Sequence, residues 1–439
     1  MRIAILGGGV GGLSLAHALR SLAPVPPEID LFEQAPVAGG LVGRFQHAGR
    51  WYDRHYHVVL LGDEHLRALI RILDLDHLLT FTPSRAGFWD GARVIPFNGP
   101  WDLLRFPYLT LVDKARLTAT LFHAQRWGDP LALHQTEIEP WLVRLGGRRT
   151  FDRIWAPLLR TKFDGSFEGL PATYLWSRIR RMQSTREGGV REKIGILRGG
   201  TQVLVGALVK SLSRMEGVQI HTGARVAALV PEAHATGVVL DGGGRHGPYD
   251  LVVSTLPTPV HEAVAAPAGA GARVRTPDRY LGIVDVVVVL KRALTSYYTL
   301  YLLDASLPFT GVIEPTNLVP ESARCGVHLV YLPRYTAVEG DEYRQPDHVL
   351  KRRYVDKLKA MFPDLGGEDV DGVYLFRDPF VEPVHLVGGE YPRFPESLGT
   401  HRRGVYLMNT GRLYPLLHNC EAVVALAGRT ARFLLERHA

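Results

Sequence analysis

The chain predicts an α/β fold in which a nucleotide-binding domain, written in separate pieces, surrounds a second domain of mixed helix and sheet. Three observations carry that reading. A short apolar run, Arg2-Ile3-Ala4-Ile5-Leu6, breaks directly into Gly7-Gly8-Gly9-Val10-Gly11-Gly12 and then into a helix-like stretch over 13–22. A second strand-like run, Ile29-Asp30-Leu31-Phe32-Glu33, ends in a carboxylate about 20 residues beyond the last glycine. Strand and helix signals of the same kind return at 195–265 and again at 396–439.

The glycine run has the spacing G-x-G-x-x-G, and each glycine has a physical task. Gly7 permits the tight turn out of the strand, Gly9 lets the backbone approach a pyrophosphate, and Gly12 lets the helix pack close to the strand. The helix N-terminus that follows Val10, Gly11 and Gly12 offers unpaired N–H groups and a partial positive charge to phosphates. Glu33 stands where a carboxylate reads a ribose hydroxyl. The same spacing recurs at Gly242-Gly243-Gly244-Arg245-His246-Gly247, but Asp241 precedes it and Pro248 follows. No helix starts cleanly there, so it predicts a turn between two strands rather than a second nucleotide site.

Residues 63–79 predict a helix with Leu66, Ile70 and Leu73 on one face. Residues 87–97 predict a hairpin with Asp90-Gly91 as a type I′ turn. The stretch from 110 to 190 is mostly helical, with helices expected over 111–127, 138–145, 150–159 and 173–182. Residues 195–201 lead into an amphipathic helix carrying Leu204, Leu208 and Leu212, then strands at 218–220 and 250–257. Strands at 280–290, 297–303 and 327–332 and a helix at 349–361 make up the later part of the second domain. A strand over 405–409 and a helix over 419–436 close the chain. The nucleotide-binding domain is thus expected at 1–60, 195–265 and 396–439, and the second domain at 61–194 and 266–395.

A length of 439 residues suggests two to three domains, and 46% hydrophobic with 22% charged residues is an ordinary soluble, globular composition. Cys325 and Cys420 form no metal or redox spacing, which fits a reducing, cytoplasmic setting. Met1 leads straight into the first strand, so no signal peptide is expected. The apolar stretch at 283–290 is broken by Asp285 and falls far short of the ~20 residues that span a bilayer. The net charge is +7, but the basic residues are dispersed and accompany no nucleic-acid motif, so a nucleic-acid partner is not expected. Residues 103–127 mix leucine and phenylalanine with Arg105, Lys114, Arg116 and Arg126. They read either as a core-facing helix or as one resting on a membrane surface, giving a cytoplasmic or peripheral location.

The stretch Glu33-Gln34-Ala35-Pro36-Val37-Ala38-Gly39-Gly40 resembles the extended fingerprint of the FAD-dependent amine oxidase, phytoene desaturase and protoporphyrinogen oxidase superfamily. The resemblance implies a Rossmann-like FAD-binding domain of the glutathione reductase type with an interleaved α+β substrate domain, and FAD as cofactor. In that family the pair matching Gly39 and Gly40 lets the chain pass close to the FAD pyrophosphate. An arginine usually adjoins the pair; here Leu41 holds that place and Arg44 follows. Residues 223–229 resemble the second FAD segment, in which the backbone around Val226 meets the adenine. Asn419-Cys420-Glu421-Ala422 falls where relatives aim a helix N-terminus at the flavin ring.

Two departures from the family are visible. Asn409-Thr410-Gly411 replaces a glycine–acid pair whose carboxylate holds the ribityl chain in relatives; Asn409 or Thr410 is expected to take over that hydrogen bond. The strand at 281–290 has Asp285 or Val286 where amine oxidases often place a lysine, which counts against an ordinary, oxygen-reactive amine oxidase.

The segment Trp51-Tyr52-Asp53-Arg54-His55-Tyr56-His57 matches a tight segment that lies near the flavin in family members. Alternation sets Asp53, His55 and His57 on one side of an extended chain. Histidine suits proton transfer near neutral pH, so His55 and His57 are the catalytic candidates; the other reading has them pack around FAD. No third ligand accompanies the pair, so no metal site is expected. UDP-galactopyranose mutases carry a histidine-containing segment in the corresponding region, which keeps a non-redox reading open. Lys162, Arg334 and Tyr335 are candidates for substrate contact, each with an alternative as core packing or surface charge. The implied activity is an FAD-dependent oxidoreductase taking a hydride from a C–H next to C or N of a small or lipophilic substrate. The alternatives are a flavin-dependent mutase or isomerase, and a non-catalytic FAD-binding scaffold.

Overall fold

Strand Arg2–Leu6 occupies the middle of a five-stranded sheet with the order Val218–Thr222, Glu28–Glu33, Arg2–Leu6, Leu251–Ser254, Val405–Leu407. Every pairing in it is parallel. These observations come from a computed structural model that describes residues 1–183, 186–187, 191–232, 235–265, 277–319 and 326–438. The central strand reads as a continuous apolar run because both of its faces are covered. Ile3 and Ile5 face helices Val10–Leu22, Gln202–Leu212 and Cys420–His438 through Leu13, Leu19, Leu204, Leu208 and Ala431. Ala4 and Leu6 face a three-stranded antiparallel sheet through Leu229, Val238 and Tyr249. Gly242, Gly243 and Gly244 lie in the turn between two strands of that small sheet, and residues 245–247 open the second strand, so no helix starts there.

A seven-stranded sheet forms the second body, in the order Val370–Val384, Arg279–Leu290, His328–Thr336, Gly311–Ile313, Thr299–Leu302, Ala86–Trp89, Val94–Pro96. Strand Arg279–Leu290 is buried along nearly its whole length. Val284, Val286 and Val288 point to helix Asp347–Met361, meeting Leu350, Tyr354 and Leu358, while Val287 and Val289 pack with Phe45 and Tyr331. Helices Leu111–Arg126, Ile138–Gly146, Ala156–Lys162 and Thr173–Gln183 form a helical layer on a core of Trp141, Leu142, Phe151 and Trp176. Helix Leu111–Arg126 buries Leu117 and Ala124 and exposes Leu111, Val112 and Phe122. Among the described residues no helix is long and apolar enough to cross a membrane.

Three local expectations need correction. The helix expected over 63–79 is Glu64–Ile72; Asp74 takes a φ of 58°, and the chain turns into strand Leu79–Pro83. The hairpin at 87–97 is present, but its turn is not type I′, which needs positive φ at both central residues. Only Gly91 has it, because Asp90 Oδ1 accepts the N–H groups of Ala92 and Arg93 and draws the loop back on itself. Strand Val370–Val384, the longest in the sheet, was not anticipated: Gly372, Pro379 and Pro383 interrupt any strand pattern. It sits at the sheet edge, where a missing N–H is tolerated.

Candidate functional site

A single cavity of about 1640 Å³ runs from the glycine loop of the parallel sheet into the second body. That exceeds the roughly 300–1,000 Å³ of a pocket for one small ligand, leaving room for a dinucleotide and a second molecule.

At one end, Gly7, Gly9, Val10, Gly11, Gly39, Gly40 and Leu41 line the wall. Gly39 N–H donates to Gly8 O at 2.9 Å, which lays the two glycine segments side by side. A Cβ on Gly40 would lie 3.2 Å from Gly9 Cα, so a bare backbone is required for that approach. Gly12 does not line the cavity, and its task is packing: a Cβ there would stand 2.0 Å from Gly7 O. Helix Val10–Leu22 starts at Gly9 with no side-chain cap, which leaves its first N–H groups available to an anion. Glu33 is buried, lines the cavity, and accepts the N–H groups of Gly8 (2.7 Å) and Ala35 (2.8 Å).

Further along, Val226, Asn409, Thr410 and Asn419 also reach the cavity. Asn409 donates through Nδ2 to Leu256 O (2.9 Å), while its buried Oδ1 has no partner. An orphaned acceptor at this point suits a ligand hydroxyl. Asn419 caps the last helix by accepting Ala422 N–H at 3.0 Å, and Ala422 itself is buried behind the wall. Arg44 lines the rim, stacked over Trp51 at 4.2 Å and bonded to Gln202 Oε1. These features fit a dinucleotide: a glycine cradle, an uncapped helix end and an unpartnered polar atom. Cys420 also lines this stretch, but burial pushes its thiol up to about 12 and leaves it inert.

The histidine segment forms the middle of the wall. Burial disfavours protonation of His55, but Asp285 on Nδ1 (2.9 Å) and Asp378 on Nε2 (2.8 Å) outweigh it and raise its pKa to about 9. His55 is therefore an imidazolium with both nitrogens donating. His57 is the opposite case: burial first, then the His55 charge, lower its pKa to about 4. Its Nδ1–H donates to His55 O at 2.8 Å, so Nε2 carries the lone pair. Asp53 serves the fold, since its carboxylate accepts Thr201 N–H (2.7 Å) and Gln202 N–H (3.1 Å) at the start of helix Gln202–Leu212. Burial lifts it to about 6.

At the far end, Lys162 donates to Glu382 Oε2 at 2.6 Å and sits 3.1 Å over the Tyr335 ring. That coulombic pairing, reinforced by His418 at 3.4 Å, more than offsets the burial of Glu382 and holds its carboxyl well below the usual range. Pro333 and Tyr335 face the cavity, whereas Arg334 points to the other side of its strand and pairs with Asp164 at 3.0 Å. The substrate-contact expectation for Arg334 is corrected by that alternation.

Sequence reasoning missed Tyr56, Tyr174, Arg178, Tyr301, Asp378 and Glu382, all of which line the cavity. Tyr174 and Arg178 share one helix and Asp378 and Glu382 one strand, but these elements, Tyr56 and Tyr301 lie far apart in the chain and form no common motif. Only Asp285, an acid in the middle of an apolar strand, carried a signal of its own.

The family model described as flavin containing amine oxidoreductase matches residues 10–397. The chain is similar in structure to a protein from Exiguobacterium sp. 255-15 assigned as a protoporphyrinogen oxidase, with 18% identity, 100% of this chain and 99% of that one covered, and a TM-score of 0.77. It is also similar to reduced UDP-galactopyranose mutase (18% identity, 100% and 96% covered, TM-score 0.73). Putrescine oxidase bound to putrescine matches with 15% identity, 100% of both chains covered, and a TM-score of 0.70.

Proposed function

We propose that this chain, which belongs to the flavin-containing amine oxidoreductase family, is an FAD-dependent oxidoreductase acting on a C–H next to C or N of a small molecule, with His57 as its proton acceptor. The observation that carries the reading is the pairing of a neutral His57 with a cationic His55 on the wall of a cavity that continues to the glycine cradle.

In this reading Gly7, Gly9, Val10, Gly11, Gly39 and Gly40 hold the FAD pyrophosphate, and Glu33 the adenosine ribose. Val226 meets the adenine, while Asn409 and Thr410 hold the ribityl hydroxyls. When bound, FAD supplies the two-electron oxidation that the side chains cannot perform.

The side chains manage the proton and the geometry. His57 takes the proton released by the substrate at Nε2, because its Nδ1–H is held by the His55 carbonyl. The low pKa of His57 keeps it in the accepting form down to about pH 4 and lets it pass the proton on to solvent. His55, clamped by Asp285 and Asp378, is a positioning residue: it fixes the His57 tautomer and supplies a permanent positive charge. Its two nitrogens are occupied, so it takes no proton itself.

The purified protein is expected to be yellow, absorbing near ~450 nm, and to release FAD on denaturation. Anaerobic addition of substrate should bleach that band. A colourless protein that refuses added FAD would overturn the reading. Turnover that needs prior reduction and transfers no net electrons would replace it with flavin-dependent isomerisation.

A further inference from the structure

Nearly every cation along the cavity wall is matched by an acid. Lys162 is paired with Glu382, Arg54 lies 3.6 Å from Asp378, Arg181 lies 3.2 Å from Asp63, and His55 has two carboxylates. Arg44 belongs to the rim of the glycine end, against Trp51. Arg178, on helix Thr173–Gln183, is the exception at the far end: among the described residues no carboxylate is paired with it. Glu382 acts on it through space but is already held by Lys162 and His418. Glu192, another acid on this wall, accepts from Ser84 Oγ at 3.3 Å and makes no ion pair with Arg178 among the described residues.

The guanidinium is exposed, but to the cavity rather than to bulk water, because phenols surround it. Tyr174, one helical turn away, Tyr301 and Tyr56 all stand beside it. Burial keeps these phenols protonated and neutral, so none of them cancels the charge. A guanidinium stays protonated at any ordinary pH, and an unpaired one away from bulk water is costly. Arg178 gains a directly paired counter-charge only when a ligand brings a negative charge to it.

We propose that Arg178 is the substrate-recognition residue of this site, and that the substrate carries an oxyanion, a carboxylate or a phosphate, which the guanidinium fork binds between Tyr174 and Tyr301. This rests on the far end of the cavity being the substrate end of the enzyme proposed above. A fork matches two oxygens of one anion, and each charged hydrogen bond is stronger than a neutral one. A simple cationic amine would meet the unmatched charge of Arg178, so like-charge repulsion selects against it. Arg178 thereby gives this chain a preference opposite in sign to that expected for a simple amine.

The test titrates the flavin-loaded protein with benzoate, phenyl phosphate and benzylamine, reading perturbation of the flavin absorption band. Benzoate or phenyl phosphate should bind, and benzylamine should not at the same concentration. Which of the two anions binds more tightly distinguishes the carboxylate from the phosphate source. Arg178→Gln should weaken the preferred anion about 10- to 100-fold while flavin content is unchanged, and Arg178→Lys should recover part of it, as a point charge without the fork. Tighter binding of benzylamine, or equal affinity of the Gln variant, overturns the proposal. Loss of flavin from both folded variants also overturns it, since Arg178 would then be serving the cofactor. If the wild-type protein takes up no flavin, the proposed oxidoreductase fails separately, and calorimetric titration of the flavin-free protein with the same three probes still decides the inference.

Discussion

At neutral pH the His55 ring carries a proton because Asp285 and Asp378 hold both of its nitrogens, and that charge helps to deny a proton to His57. Two histidines at spacing two thus have separate duties. His57→Gln is expected to lower kcat by roughly 10²- to 10⁴-fold with the flavin spectrum intact, as for loss of a general base. The acid limb of kcat/KM in the free enzyme should fall near pH 4, with activity rising as pH increases through it. His55→Ala should instead destabilise the fold, by about 3–5 kcal/mol in urea titration, because it leaves the buried Asp285 carboxylate without its cation. The sign of the pH dependence follows from a folded pKa of about 9 against an ordinary value of 6.5. The stabilisation is complete below about pH 6.5 and is lost as pH rises through about 9, so Tm should drop over that window in the wild type and not in His55→Gln.

Among elements, the strand–glycine–helix unit depends on backbone clearance that side chains would remove. Gly12→Ala puts a methyl group 2.0 Å from Gly7 O, so the loop must open and flavin binding should be lost. Gly428→Ala, in the middle of helix Cys420–His438 with open space around it, should stabilise the protein by about 0.5–1 kcal/mol and leave flavin binding alone. Measuring flavin content and Tm for both variants separates a glycine needed for shape from one that only weakens a helix. Strand Val370–Val384 was the least legible element, yet it delivers Asp378 and Glu382 to the site. Its prolines and glycine hide a strand held by its register against Arg279–Leu290, a partner some 90 residues earlier in the chain. Local propensity does not contain that information.

For the molecule as a whole, the cavity wall is drawn from both bodies: the glycine loops come from the parallel sheet, and Tyr301, Tyr335 and Glu382 from the seven-stranded sheet. A ligand filling it stabilises the folded state by mass action, about 2.7 kcal/mol at a hundredfold excess over Kd. Stripping the flavin should therefore lower Tm, and adding FAD back should restore it in a concentration-dependent way. A Tm indifferent to FAD would mean that the cavity does not bind it. Most of the wall at the glycine end was legible, because Gly7 to Gly12, Glu33 and Gly39-Gly40 are consecutive and each responds to a local backbone demand. Little of the wall at the far end was, because Arg178, Tyr301 and Glu382 are brought together only by packing.

The amino-acid sequence by itself determined the α/β class and the parallel sheet's opening unit, and it pointed to the proposed dinucleotide end, since these follow from periodicity and glycine spacing within short stretches. It also singled out His55, His57 and Asp285 as unusual residues. Only the tertiary structure decided that His55 is a clamped cation and His57 a free base, that Arg334 faces away while Tyr335 faces in, and that Arg178 has no carboxylate partner among the described residues. Charge state and direction depend on neighbours distant in the chain. Electrostatic and desolvation energies are set by distances across the fold, and spacing along the sequence does not encode them.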